Sequence, residues 1–179
     1  MFAKQKIWNI DLKTRQRVVV TGRGVVSPVG NSISEYWKGL SNGNSGVGKI
    51  TEFDPLKSGC RIAGIVKDYD VDVHFKFRDK KRYERFTQFG LVAAIQAAEE
   101  AKLQELESDS GNIGVIMGTG VGGITSYSRV YDALFSGPDE RPIDTYTIPR
   151  IMNSAVSSAI SIRLGVRGPN FTLNTACSS

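Results

Sequence analysis

An α/β fold is predicted for this chain of 179 residues from three features: short valine- and isoleucine-rich runs, glycines directly behind them, and helix-patterned segments after the glycines. Nineteen glycines against six prolines suit many tight strand-to-helix turns and speak against a disordered chain or a helical bundle. An apolar content of 40% can bury a core, either as one domain or as part of a larger one.

Arg17 to Thr21 holds three consecutive valines ahead of Gly22 and Gly24 and reads as a buried parallel strand entering a turn. After Pro28 and Gly30, Ser32 and Glu35 form an S-x-x-E capping box. Ile33, Tyr36, Trp37 and Leu40 follow at helical spacing, which predicts one buried face, and Asn42, Gly43 and Asn44 end the helix. Ser45 to Ser58 reads as a glycine-rich loop with an Asp54-Pro55 turn, and Arg61 to Val66 as a short strand. Charge dominates from Lys67 to Arg85. Phe86 to Leu103 is apolar or alanine around most of its circumference and predicts a helix covered on most sides.

Asn112 to Met117 is the next predicted strand, opening into Gly118 to Gly123 and a helix from Ile124 to Phe135. Ser136 to Pro149 is turn-rich. A Ser/Ala-rich helix from Ile151 to Leu164 stops at Gly165, and Gly168-Pro169 turns the chain into a strand from Asn170 to Asn174, just ahead of Thr175-Ala176-Cys177-Ser178-Ser179. Met1 to Gln16 reads as an N-terminal extension, with disorder as one reading. No repeat or linker divides residues 17–179.

The formal charge of +5 favours an acidic partner, but the bases form no stripe with interleaved aromatics, which argues against nucleic acid. No apolar stretch reaches the length of a membrane span, and the first residues lack a signal-peptide core. Cys60 and Cys177 have neither zinc nor disulfide-framework spacing, so reduced thiols in a cytoplasmic setting are the simplest expectation.

Three constellations could carry chemistry. Gly118, Gly120 and Gly123 satisfy G-x-G-x-x-G behind a predicted strand, which raises a dinucleotide-binding loop; close strand-to-helix packing is the alternative. Cys177, at a strand-to-helix turn, would gain thiolate character from a helix N-terminus, whereas an inert buried cysteine is the competing reading. His74 is the only histidine and would be the partner in a Cys–His hydrolase, although it lies in a charged segment far from Cys177 in sequence.

Six blocks in one order carry a resemblance: RVVVTGRGVVSPVG from Arg17, the Trp37 helix, RIAGIVKD from Arg61, RFTQFG from Arg85, GTGVGG from Gly118 and GPNFTLNTACS from Gly168. Together they resemble the elongating β-ketoacyl-[acyl carrier protein] synthases, type II in particular. The resemblance implies the N-terminal half of a thiolase-like fold, layered α-β-α-β-α and truncated after the active-site cysteine, with one face of the half left uncovered. It implies that Cys177 accepts an acyl chain as a thioester and that malonyl carrier protein, losing carbon dioxide, extends it. The family's catalytic histidines and lysine fall beyond Ser179.

The resemblance also implies that Val121 lines the acyl pocket and that Thr147 stands where relatives carry an aromatic residue reaching it across a dimer. Arg78, Lys81, Arg82 and Arg141 match basic positions that dock the acidic carrier protein. Asn170 to Asn174 matches the strand that pairs with its twin in a homodimer. No cofactor and no metal are implied. Ser178-Ser179 departs from the Ala-Ser of many fatty-acid members, so a polyketide-type ketosynthase stays open, as does a non-catalytic fragment or scaffold.

Overall fold

The computed structural model describes residues 17–55, 59–103, 110–135 and 143–179. In chain order they form α1 (Ile33–Ser41), β1 (Val47–Lys49), β2 (Ile62–Gly64), α2 (Val71–His74), α3 (Phe77–Arg82), α4 (Arg85–Glu100), β3 (Val115–Gly118), α5 (Ile124–Phe135), α6 (Thr147–Ile151), α7 (Ala155–Leu164) and β4 (Asn170–Leu173). A 3-10 turn over Ala176–Ser178 comes last. β1 and β2 pair antiparallel; β3 and β4 pair parallel, with Val115 opposite Asn170 and Gly118 opposite Leu173.

The core lies where α4 and α7 pack on each other and α7 packs on the parallel strands. Leu91, 1% exposed, joins Val92, Val115, Val156, Ala159, Ile160 and Val166 there, with Phe75 closing one end. Strand alternation decides which residues reach it. Val115, Met117, Asn170 and Thr172 share the helix-facing side of β3 and β4, and Ile116, Phe171 and Leu173 project from the other side into solvent.

A polar seam runs through this core. The hydroxyls of Ser157 and Thr172 are 2.8 Å apart, and the Asn170 amide donates to Ser157 O at 3.0 Å and to Ser161 Oγ at 2.6 Å. Ser157 is completely buried, so these bonds satisfy groups that would otherwise lose water without compensation.

Several expectations need correction. The valines at 18–20 form no strand: Val18 is 93% exposed. A strand needs a ladder partner, and none pairs with these valines among the described residues; the residues just after them, Gly22 to Val25, cross α4. The Glu100 carboxylate holds Arg23 through its backbone N–H and its guanidinium, and Gln96 Oε1 accepts from Val25 N at 2.9 Å. Gly24 makes that crossing possible, because a Cβ there would lie 2.7 Å from the Ala93 carbonyl carbon. These anchors begin at Arg23, beyond the valines.

The capping of α1 matches expectation in part. Ser32 Oγ accepts from Glu35 N at 3.3 Å, but the Glu35 carboxylate reaches the N–H of Asn31 at 2.9 Å, one residue before the cap. The predicted apolar face of α1 is open: Trp37 is 69% exposed and Leu40 is exposed as well. The loop expected from Ser45 contains β1, and the charged stretch before Arg85 contains α2 and α3. The helix expected from Ile151 begins at Ala155 as α7, and a separate helix, α6, ends at Ile151 in the stretch read as turn-rich; Met152, extended with ψ of 133°, divides the two.

Candidate active site

Because β3 and β4 run parallel, their carboxyl ends lie side by side, and the 118–123 loop and the Cys177 turn leave the sheet together. Thr119 N donates to Leu173 O at 3.0 Å, continuing the ladder one step past the strands. Ser179 Oγ accepts from Thr175 N at 2.7 Å and donates to Thr119 O at 3.2 Å, closing the turn against the loop. A Cβ on Gly118 would lie 2.7 Å from the Ser179 carbonyl carbon, so only glycine allows this approach.

Cys177 is exposed within the turn, and no disulfide joins it to Cys60. Ala176, just before it, has φ of 52°, a left-handed conformation that costs a non-glycine residue about 1 kcal/mol or more and is held by its surroundings. Ser178 N bonds to Thr175 O at 3.1 Å and Ser179 N to Ala176 O at 3.2 Å. The Cys177 N–H falls in the first positions of this turn, where helical geometry offers no intrahelical acceptor. Cys177 is the middle residue of the 3-10 turn over Ala176–Ser178.

A second connection joins the turn to the glycine loop. The hydrogen-bonding surroundings assign the orientation of the Asn174 amide: with its nitrogen turned to Gly120 O at 3.1 Å and Thr119 O at 3.3 Å both carbonyls gain a donor, and its oxygen then accepts from the Asn153 amide, which lies in the break between α6 and α7. Gly122, with φ of 80°, packs against the Asn153 side chain, and Gly123 N reaches Ile151 O at 3.4 Å.

The N-terminus of α5 is already occupied by a carboxylate. Glu84, 8% exposed, accepts from Ser126 N at 2.9 Å, and its other oxygen lies where a Cβ on Gly123 would stand. A dinucleotide pyrophosphate needs this helix end free of negative charge. Glu84 fills it, so the glycine motif serves close packing and not nucleotide binding.

The remaining candidate residues fall into separate regions. Val121 is exposed at the apex of the 118–123 loop, and Thr147 is buried as the first residue of α6. Arg78, Lys81 and Arg82 are exposed on α3, at i, i+3 and i+4, which sets them on one face. Lys81 Nζ also lies 4.6 Å from the Phe77 ring centroid. Arg141 lies outside the described residues, as does the extension over residues 1–16. His74 stacks on Tyr69, with ring centroids 5.6 Å apart, and no hydrogen bond among the described residues joins it to Cys177.

A cleft of about 880 Å³, lined by Tyr69, Lys80, Glu84, Arg85, Arg129 and Arg150 among others, includes neither Cys177 nor any residue of the glycine loop. Several of its charges pair locally, Arg85 with Glu52 at 3.2 Å and Arg150 with Asp144 at 2.8 Å. The Asp144 carboxyl is held below its usual range, first by the Tyr146 N–H and then by Arg150. Among the described residues no cluster of His, Cys, Asp and Glu could hold a metal ion, and no helix is long and apolar enough to cross a membrane.

Sequence reading missed Glu84, Asn153 and Asn174. Asn174 lies within the TLNTACS block, but nothing local tells a strand-end asparagine from one that bridges two loops. Glu84 carried a signal of another kind: an acidic residue flanked by aromatic and basic ones, whose burial depends on α5 arriving from 40 residues on.

Comparison with known proteins places this geometry. Residues 15–179 match the family model described as beta-ketoacyl synthase, N-terminal domain. The chain is 36% identical over 167 residues to 3-oxoacyl-[acyl-carrier-protein] synthase 2 of Vibrio harveyi, covering 93% of this chain and 40% of that protein. It is 38% identical over 165 residues to the protein of the same name from Synechocystis sp., covering 92% and 39%. The chain thus spans about 40% of the length of the curated relatives it matches. Among solved structures, the ishigamide ketosynthase/chain length factor superposes with a TM-score of 0.72 at 29% identity, covering 90% of this chain and 40% of that one. A beta-ketoacyl synthase from Burkholderia phymatum superposes with a TM-score of 0.74 at 21% identity, covering 90% and 40%, and supports the fold alone. With its α/β architecture, its cysteine turn at the strand ends and the family match over nearly its whole length, the chain belongs to the β-ketoacyl synthase family and corresponds to its N-terminal domain.

Proposed function

We propose that this chain supplies the acyl-accepting half of a 3-oxoacyl-[acyl carrier protein] synthase of fatty-acid synthesis, with Cys177 as the nucleophile. The observation that carries the reading is the exposed Cys177 on a turn seated against the 118–123 loop at the carboxyl ends of two parallel strands. The Cys177 thiolate attacks the acyl thioester carbonyl, the carrier's thiolate leaves, and the acyl chain remains on Cys177. The Cys177 N–H is the donor this turn offers to the transient oxyanion. In the second step, malonyl carrier protein loses carbon dioxide, its carbanion attacks the Cys177 thioester, and the Cys177 thiolate is released.

Val121 lines the acyl path, and Thr147 stands at the pocket position where relatives carry an aromatic residue reaching across the dimer. The α3 bases Arg78, Lys81 and Arg82, together with Arg141, dock the acidic carrier protein. The outer edge of β4 pairs with a second copy, so the full-length protein sediments as a dimer. Residues 17–179 form one ketosynthase unit in the cytoplasm, and the open side of β3 and β4 receives the next layer of the fold.

Incubating the full-length protein with acyl carrier protein substrate tests this. An acyl mass on Cys177, lost in Cys177→Ala, is the expected result; acyl on another residue with Cys177 unmodified overturns it. The 29% identity to the ishigamide ketosynthase/chain length factor favours a polyketide-type enzyme as the second reading. Products elongated and reduced over repeated cycles, or left as polyketones, separate the two.

A further inference from the structure

The 118–123 loop holds four glycines in six residues and should wander unless tied down. Its first residues are tied by the Thr119–Leu173 ladder bond and by Ser179 Oγ on Thr119 O, and its last by Gly123 N on Ile151 O. Between these anchors, in the stretch that carries Val121, the Asn174 amide in its assigned orientation donates to Gly120 O. Asn174 lies three residues before Cys177, at the end of β4.

One amide thus meets three things: the loop through Gly120 O and Thr119 O, the α6–α7 break through Asn153, and the nucleophile turn through its own backbone. An asparagine suits this place because it donates and accepts from one planar group. Aspartate would still accept from Asn153 but could not donate to the two carbonyls, and alanine would do neither.

We propose that Asn174 is a positioning residue that latches the 118–123 loop to the Cys177 turn, and that the closed latch sets which acyl chain lengths Cys177 accepts. The selectivity rests on the acyl-transfer reading above; the latch itself rests on the contacts. With the latch open, Val121 is released from a fixed position, so long and short chains are discriminated differently.

The test uses the full-length protein with Asn174→Ala and Asn174→Asp. Rates of Cys177 acylation by butyryl and myristoyl carrier protein are read by mass, and hydrogen exchange is followed in the peptide covering 118–123. The ratio of the two rates should change about fivefold in both variants, the scale of a lost hydrogen bond, and exchange in the loop should quicken. A purely structural role would lower the melting temperature and both rates together, leaving the ratio in place. An unchanged ratio in both variants, or a parent-like ratio in Asn174→Asp, overturns the proposal. If the parent protein takes no acyl group on Cys177, the acyl-transfer reading fails by itself; faster loop exchange in Asn174→Ala then supports the latch, and unchanged exchange sinks it.

Discussion

Glu84, at the start of α4, accepts the backbone N–H of Ser126 at 2.9 Å and so seals the N-terminus of α5 with a buried carboxylate. The contact joins two helices through residues 42 apart in sequence and uses both a hydrogen bond and the attraction between a negative charge and a helix N-terminus. Glu84→Ala should lower the unfolding free energy of the full-length protein by about 2 kcal/mol. Glu84→Gln, which keeps an acceptor oxygen but no charge, should cost about half as much. Denaturant titration measures both, and equal losses would mean the charge contributes nothing.

Tyr69 titrates late. Burial pushes its phenol up to about 12, with Arg85 opposing the rise, and its ring packs edge-on against Phe89 at 4.9 Å. An unfolded tyrosine ionises near ~10, so the folded state favours the neutral phenol. Its contribution to stability is intact below pH ~10 and is lost as pH rises toward about 12. Absorbance titration of tyrosinate should show one late component that Tyr69→Phe removes; a set of midpoints all near ~10 would contradict it.

Gly24 has no room to grow. Its would-be Cβ meets the Ala93 carbonyl carbon at 2.7 Å on the helix that also anchors Arg23 and Val25. Gly24→Ala should therefore cost about 1–3 kcal/mol through overpacking and loosen the 17–26 segment from α4. Faster proteolysis near Arg23, with little change elsewhere, is the expected pattern.

The α3 bases act at encounter if they dock a carrier protein. Replacing Arg78, Lys81 and Arg82 together by glutamate should raise KM for acyl carrier protein by about tenfold or more, with kcat nearly unchanged and a weaker dependence of KM on salt. A fall in kcat at constant KM would assign these residues to the fold and not to the partner.

Some of this architecture was legible in the sequence and some was not, for reasons that differ by residue. The helix from Ile124 to Phe135 and the stop at Gly165, with φ of 68°, follow from local chemistry: a glycine loop before one, a left-handed cap after the other. β4 could be read because Gly168-Pro169 announces it. β1 could not, since Gly46 and Gly48 mask a strand that exists only because β2 pairs with it. α2 and α3 are too short to show an apolar stripe, and the Asp70 cap of α2 was hidden among other charges. The valines at 18–20 have strand composition but no ladder, and composition cannot supply one. In the candidate site, the Cys177 turn could be placed from its motif, whereas the contacts of Glu84 with α5 and of Asn174 with the 118–123 loop could not, because each partner comes from a distant part of the chain.

The hydroxyl pair of Ser157 and Thr172, with Asn170 reaching Ser157 O and Ser161 Oγ, works as a key for β4. Apolar packing alone would tolerate sliding this strand along α7, since Phe171 and Leu173 flank Thr172 and are as greasy as the core they would join. A slip of one residue turns every side chain to the other face and would take Thr172 from the Ser157 hydroxyl, leaving it Ser154 O at 3.2 Å, and would pull the Asn170 amide from Ser157 O. Misregistered chains are thereby penalised, and the favoured alignment is the one that delivers the Cys177 turn to the end of the sheet, where Ser179 meets Thr119 O.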